Sequence, residues 1–247
     1  MHTYFYKRKD ELNGSLVYTY QLKMKNIIIR ILLRSALIIV GILGIILTFL
    51  TSEFMGGWHI FLYFTVQSNI WIMAITSYFL VNDFLELFHK KTYVSQFVLY
   101  LKYIFTIAIT ITFIVFFTML APIVGMDYFL SYNNFSLHGI VPILAIVDFF
   151  IFCTDIKLTP LKSLLGDSTP LYYLAFVYIG VPLNFRYGEN LKFPYFFLNY
   201  EKYGWFNITS EGLGVFYWII IFIICASGLC LLFYLFMHLR QKHMRKD

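Results

Sequence analysis

Residues 29–51 read IRILLRSALIIVGILGIILTFLT, an apolar run whose only charged residues are Arg30 and Arg34. A helix needs about 20 mostly apolar residues to cross a bilayer. The run therefore predicts a membrane span, and we expect both arginines, near its start, to extend their charged ends toward the interface. Because no small-residue cleavage site ends the run, we expect it to be retained as the first span and not removed as a signal peptide.

The composition extends this prediction to the whole chain. Of 247 residues, 60% are hydrophobic and 13% are charged, and the mean hydropathy is +0.73. Soluble domains carry about 25% charged residues. We therefore predict an all-α polytopic membrane protein, a six-helix transmembrane bundle within residues 29–238. The five further spans, each about 17–25 residues long, are expected near 58–80, 99–122, 136–154, 170–186 and 213–237.

Charge placement predicts the orientation of these spans. Basic residues cluster in four segments that fall on one side of a six-span bundle: the tail 1–28, Lys90 with Lys91, Lys157 with Lys162, and the tail 239–247. The opposite loops 52–57 and 123–135 each carry a single charged residue, Glu53 and Asp127, and loop 187–212 balances two lysines against three glutamates. Cytoplasmic loops are enriched in Lys and Arg. Both termini are therefore predicted to be cytoplasmic, in a multi-pass protein of the cytoplasmic (plasma) membrane.

The same composition narrows the partners and cofactors. The net charge of +6 lies mostly in the tails and cytoplasmic loops, so it does not indicate nucleic acid, and we expect membrane lipids as partners. Three cysteines lie in apolar runs, where they are typical of small core residues and not of disulfides or metal ligands. We expect no metal and no cofactor. The aromatic loop 187–212 predicts an ordered cap over the outer face.

Polar residues inside the second predicted span allow two interpretations. The stretch GGWHIFLYFTVQSNI, residues 56–70, contains Thr65, Gln67, Ser68 and Asn69. Thr65, Ser68 and Asn69 share one helix face by their spacing. Such residues commonly form hydrogen bonds between packed helices, but a buried hydroxyl can also be a nucleophile. In the third span, Lys102 lies near the cytoplasmic end, where we expect its ammonium group to reach the interface.

The fourth predicted span contains two ionisable residues, His138 and Asp148. Thr65 lies about seven residues inside the outer end of its predicted span, or roughly 10 Å deep at 1.5 Å per residue. His138 enters from the same side, so two interpretations are open: its imidazole meets the Thr65 hydroxyl and activates it as a general base, or it is a hydrogen-bonded packing residue, the more common role of a single histidine at a helix end. Asp148 is roughly 15 Å deeper than His138. It cannot orient that imidazole as a hydrolase triad would, and it is expected to pair with a basic side chain or to be hydrated.

Three motifs together resemble the androgen-inducible six-transmembrane family and its bacterial relatives. They are GGWHIFLYFTVQSNI, LHGIVPILAIVDFF (137–150) and FPYFFLN (193–199). The resemblance implies a membrane hydrolase of fatty-acid esters of hydroxy fatty acids, with Thr65 as the threonine nucleophile and His138 as its histidine. The residues after Thr65 depart from the animal pattern, in which an aspartate follows closely, and are typical of the bacterial branch.

Two hypotheses follow for the function. In the first, the protein is a lipid-ester hydrolase with an acyl-ester substrate, Thr65 and His138 are catalytic, and Ser68, Asn69 and Gln67 position the pair, bind substrate or stabilise the oxyanion. In the second, the protein is a non-enzymatic small transporter or lipid-binding protein whose polar residues line a pocket or join helices.

Overall fold

A computed structural model describes residues 2–51, 57–90, 92–124, 130–188, 191–210 and 212–244. The predicted loop and tail charges Glu53, Lys91, Asp127, Arg245 and Lys246 lie outside these residues. The long helices are α1 (His2–Thr51), α2 (Phe64–Leu87), α3 (Gln96–Val115), α6 (Val141–Phe152), α8 (Ser168–Gly180) and α10 (Val215–Met244). The short helices are α4 (Ala121–Val124), α5 (Tyr132–Phe135), α7 (Pro160–Ser163) and α9 (Tyr200–Tyr203).

Irregular helical turns join several of these elements. Single π-helical turns at Phe116–Leu120 and Ser136–Ile140 join α3 to α4 and α5 to α6. In the described ranges, 3-10 turns lie at Gly57–Leu62, Leu164–Asp167 and Phe196–Leu198. Strands β1 (Ile208–Thr209) and β2 (Gly212–Leu213) form an antiparallel hairpin, with Ile208 opposite Leu213. The molecule is therefore a helical bundle with a small non-helical segment at one end.

Within the residues that the structure describes, five helical segments are long and apolar enough to cross a membrane. They are Met24–Thr51, Phe64–Leu87, Gln96–Leu120, Tyr132–Phe152 and Val215–His243. Large aliphatic side chains such as Leu32, Leu50 and Ile224 are exposed on the outside of the bundle, as contact with lipid requires. The chain is therefore a multi-pass helical membrane protein.

The predicted fifth span, near 170–186, is the one that these segments do not include. Its helix α8 has 13 residues and ends at Gly180, and a 3-10 turn separates it from α7. Such a helix is about 20 Å long, shorter than the roughly 30 Å hydrocarbon core of a bilayer. The sixth crossing therefore stays a prediction.

The described residues of the segment 187–212 pack as a cap on the end of the bundle that carries Thr65. Tyr187, Phe193, Phe197 and Leu198 are buried there in one apolar cluster. The Tyr63 hydroxyl, just before α2, donates a hydrogen bond to the Tyr187 carbonyl. The ordered packing predicted for this loop is confirmed for the residues that the structure describes.

Four buried charges join four helices at the opposite end of the bundle. The Arg34 side chain binds Asp83 at 2.6 Å and Asp148 at 2.7 Å. Lys102 Nζ lies 2.8 Å from the other Asp148 oxygen and donates to Thr76 at 2.7 Å. These residues are at most 3% exposed. Two cations balance two carboxylates, which is how charges are accommodated in a membrane interior.

The network confirms that Asp148 pairs with basic side chains, and it corrects the predictions for Arg34 and Lys102. Both were expected to extend toward the interface, but Arg34 is 3% exposed and Lys102 is 0% exposed. The rotation of their helices turns both side chains inward, where carboxylates from α2 and α6 receive them. Arg30 lies nearer the surface and pairs with Asp83 at 2.9 Å and with Glu86.

Candidate active site

Thr65 is the second residue of α2, not a mid-helix residue. The predicted span starts near residue 58, but residues 57–62 form a 3-10 turn and the α-helix begins at Phe64. Tyr63 at the N-cap provides no side-chain cap for the helix. The first N–H groups of a helix have no partner within it and carry a partial positive charge. Thr65 therefore lies where developing negative charge is stabilised.

The imidazole of His138 meets the Thr65 hydroxyl directly. Thr65 Oγ1 lies 3.2 Å from His138 Nε2, and His138 Nδ1 lies 3.0 Å from the Asn134 carbonyl oxygen. A carbonyl can only accept, so Nδ1 carries the proton and Nε2 is left as the acceptor for the Thr65 hydroxyl. This is the tautomer that a general base requires, and the pairing predicted from the sequence is present.

The surroundings of His138 fix the orientation of its ring. The residue is buried, and its imidazole stacks on the Phe116 ring with 3.8 Å between centroids and 18° between planes. His138 lies within the π turn of Ser136–Ile140, and Phe116 begins the other π turn. Single π turns inside α-helices occur frequently at functional sites. Both turns here lie at the candidate pair.

Ser68 and Asn69 form hydrogen bonds to backbone carbonyls next to Thr65 and His138. Ser68 Oγ donates to the Thr65 carbonyl at 3.0 Å and pairs with the Thr112 hydroxyl at 2.8 Å. Asn69 Nδ2 donates to the carbonyls of Thr65 at 2.8 Å and of Leu137 at 3.1 Å. Asn69 therefore connects the backbone at Thr65 with the backbone at Leu137, which precedes His138. Both residues are fully buried, which is consistent with a supporting role.

Gln67 supports the start of α2 in another way. Its amide Nε2 donates to the Phe61 carbonyl at 3.0 Å, which joins α2 to the preceding 3-10 turn. Like Ser68 and Asn69, it is not among the pocket-lining residues in the described part of the chain. The geometry therefore favours positioning over substrate binding for all three.

A pocket of about 240 Å³ opens beside Thr65 and His138. Its walls come from the second half of α3, from α8, from α10 and from the cap, and they are almost wholly apolar. The pocket follows α10 from Trp218 to Leu229, about 16 Å at 1.5 Å per residue. That length matches about half of a bilayer's hydrocarbon thickness, so the pocket is suited to one acyl chain.

Sequence reasoning did not single out two residues of this site, Phe116 and Tyr195. Tyr195 belongs to the cap, lines the pocket and packs its ring edge-on against Tyr63 at 6.1 Å. The one sequence signal for Tyr195 is its place within the motif FPYFFLN. Phe116 had no comparable signal, because a phenylalanine in an apolar helix is ordinary.

The electrostatics of Tyr195 differ from those of a solvated tyrosine. Burial raises the pKa of its phenol to about 12. Hydrogen-bonding interactions with the side chains of Thr65 and Tyr173, and with the backbone of Thr65 and Phe64, counter part of that rise. Since the pKa stays far above neutral, the phenol retains its proton and remains a hydrogen-bond donor at physiological pH.

Comparison of the chain with family models, curated proteins and solved structures finds no match. The geometry and chemistry of the site are therefore the basis for assigning a function.

Proposed function

We propose that this protein is a lipid-ester hydrolase of the membrane, with Thr65 as nucleophile and His138 as general base. The observation that carries the proposal is the 3.2 Å contact between Thr65 Oγ1 and His138 Nε2 at the end of an apolar pocket. A hydroxyl becomes an effective nucleophile when an adjacent base takes its proton. The Asn134 carbonyl orients that base by binding its Nδ1–H.

The first half-reaction acylates Thr65. Oγ1 attacks the ester carbonyl carbon while its proton moves to His138 Nε2, and the carbonyl oxygen becomes an oxyanion. The N-terminal end of α2 stabilises that charge. When the tetrahedral intermediate collapses, the bond to the alkoxide breaks, and His138 gives its proton to this leaving group.

The second half-reaction releases the acyl group. A water molecule takes the place of the alcohol, His138 Nε2 removes one of its protons, and the resulting hydroxide attacks the acyl carbonyl. Collapse of the second intermediate breaks the bond to Thr65 Oγ1, which recovers its proton from His138. The products are a free fatty acid and an alcohol.

The experiment that tests this function incubates purified protein with a panel of acyl esters of hydroxy lipids and measures released fatty acid. Turnover by the wild-type protein supports the hydrolase. Lipid bound at one equivalent and recovered intact, without turnover of any ester, supports the alternative of a lipid-binding protein or small transporter.

The pocket predicts selectivity for acyl-chain length. Ala226 on α10 is buried and lines the pocket, so Ala226→Trp is expected to fill the space that the distal part of a long chain occupies. We expect kcat/KM for long-chain esters to fall at least about 10-fold, since a few methylenes in an apolar pocket are worth that much, while short-chain esters are still hydrolysed.

Ile224→Trp is the matched control for this variant, because Ile224 lies on the same helix and is 65% exposed on its outer face. Rates for a series of chain lengths check the prediction. Equal losses for short and long esters in Ala226→Trp, with none in Ile224→Trp, would contradict an acyl-chain role for the pocket.

We also propose six crossings with both termini in the cytoplasm. One observation in support is that the segment just before α7 contacts the N-terminal part of α3. There the Tyr100 hydroxyl donates a hydrogen bond to the Lys157 carbonyl. Near the end of α8, the Tyr178 hydroxyl donates to the Leu198 carbonyl in the cap. Helices α7 and α8 with their connecting turn thus extend between the two ends of the bundle.

Cysteine labelling tests this topology in intact cells. In a background without native cysteines, Lys242→Cys is expected to react with an impermeant maleimide only after permeabilisation. Lys192→Cys in the exposed part of the cap is expected to react at once, because both side chains are exposed but lie at opposite ends of the bundle. Labelling of Lys242→Cys in sealed cells would contradict the proposed orientation.

Membership of the androgen-inducible six-transmembrane family is proposed on the same residues. The first motif supplies Thr65 on α2, and the second supplies His138 between α5 and α6. The third motif supplies Tyr195 from the cap. Three stretches of sequence that are far apart along the chain therefore meet at one site, as a shared catalytic centre requires.

A further inference from the structure

Tyr63, Tyr173 and Tyr195 lie beside the start of α2, and the hydroxyl of Tyr195 differs from the other two in its surroundings. The hydroxyl of Tyr63 donates to the Tyr187 carbonyl, and the hydroxyl of Tyr173 donates to the Leu62 carbonyl at 3.0 Å. Both groups are thereby used in joining the cap and α8 to the backbone around α2. The hydroxyl of Tyr195 lies close to the side chains of both Thr65 and Tyr173, and Tyr195 lines the same pocket as Thr65.

Packing fixes the ring of Tyr195 over the site. The ring stacks on Phe197 with 5.1 Å between centroids and lies 6.2 Å from the Tyr173 ring. It lines the same pocket as Thr65 and His138. Its hydroxyl also interacts with the backbone of Phe64 and Thr65 at the N-terminus of α2. The phenol therefore lies beside the nucleophile and over the positive end of the helix.

We propose that Tyr195 is a catalytic residue whose O–H donates a hydrogen bond to the ester carbonyl oxygen while Thr65 attacks the carbonyl carbon. As the Thr65 Oγ1–carbon bond forms, the carbonyl π electrons move to that oxygen. The Tyr195 proton stays on the phenol and only shortens its distance to the oxyanion. This inference rests on the proposed function, and it assigns to the cap a direct part in the reaction.

The geometry also separates the donor from the base. His138 approaches Thr65 from its own helix and receives the hydroxyl proton, whereas Tyr195 approaches from the cap. A nucleophile between a base and an oxyanion donor is the arrangement that acyl transfer requires. Fixed donors act strongly where water is excluded and the local dielectric constant is low.

Tyr195→Phe tests the proposal, because it removes the hydroxyl and keeps the ring packing. We expect kcat to fall about 10²–10³-fold, as when one oxyanion donor is lost, while KM and the thermal midpoint stay close to wild type. Tyr178→Phe is the matched control: it also removes one tyrosine hydroxyl that contacts the cap, at the Leu198 carbonyl, but Tyr178 is not among the described residues that line the pocket. It should keep the wild-type kcat.

A second measurement distinguishes a catalytic role of Tyr195 from a structural role in the packing of the cap. Replacing Tyr195 with difluorotyrosine makes the phenol more acidic, and its ionised form cannot donate. The alkaline limb of the kcat profile should therefore move to lower pH, which a purely structural tyrosine would not cause. Two results would overturn this inference and leave the hydrolase assignment intact. One is an alkaline limb that does not move. The other is a kcat for Tyr195→Phe within about 3-fold of wild type, which is well below the effect of losing an oxyanion donor. Absence of turnover in the wild-type protein instead overturns the proposed function itself.

Discussion

Thr65→Ala is expected to reduce ester hydrolysis at least about 10³-fold, because it removes the atom that forms the acyl intermediate. His138→Ala is expected to reduce it about 10²–10⁴-fold, the usual contribution of a general base. Each variant removes a hydrogen bond at one end of the bundle and leaves the charged network at the other end unchanged. Expression and the thermal midpoint should therefore change little. Fatty-acid release by purified protein provides the measurement.

Thr110→Ala is the matched control for this pair. Thr110 is also a buried threonine in a membrane helix, and its hydroxyl donates to the Thr106 carbonyl at 2.7 Å, but it is not among the described residues of the pocket. Its variant should retain hydrolysis. If all three variants lose activity together with the fold, Thr65 and His138 are packing residues and the catalytic assignment is wrong.

Asp148→Ala is expected to have the largest effect on stability. It leaves the cations of Lys102 and Arg34 buried with one carboxylate fewer between them, and breaking a buried ion pair in this way costs about 3–5 kcal/mol. We expect poor yield in detergent and a large fall in the thermal midpoint. By contrast, Glu201→Ala removes an exposed pair with Lys192 and should cost at most about 1 kcal/mol.

A double variant makes this prediction specific to charge. Lys102→Met with Asp148→Leu removes one cation and one carboxylate together, so Arg34 and Asp83 remain a balanced pair at 2.6 Å. The double variant should be more stable than either single variant, because no unpaired charge remains buried. Additive losses in a double-mutant cycle would show that packing, not charge balance, determines the stability here.

Much of the helical framework could be predicted from sequence because hydropathy reports span length directly. Five of the six predicted spans overlap the candidate spans found in the described residues, with ends that differ by at most seven residues. The start of α2 was misplaced because residues 57–62 are apolar enough to extend a membrane helix but form a 3-10 turn. In the described part of the chain, no single long helix matches the fifth predicted span, because a 3-10 turn divides α7 from α8 and hydropathy does not detect that division.

The contact between Thr65 and His138 could be predicted from the sequence, and its surroundings could not. Thr65 and His138 were found because polar groups are rare in apolar helices and usually face the interior. The inward rotation of Lys102 and Arg34 depends on helix packing, which a position along the span does not specify. Tyr195 reaches Thr65 only through the fold of the cap, from a position far away in the sequence.

The central claim is that Thr65 is a nucleophile, and covalent trapping tests it most directly. A fluorophosphonate with a long alkyl chain should lose fluoride and form a bond from phosphorus to Thr65 Oγ1 in the wild-type protein. Peptide mass spectrometry should locate the adduct on Thr65, with much slower labelling in His138→Ala and no adduct on that peptide in Thr65→Ala. Wild-type protein that hydrolyses acyl esters but carries no adduct on Thr65, or carries one on another residue, would contradict the account.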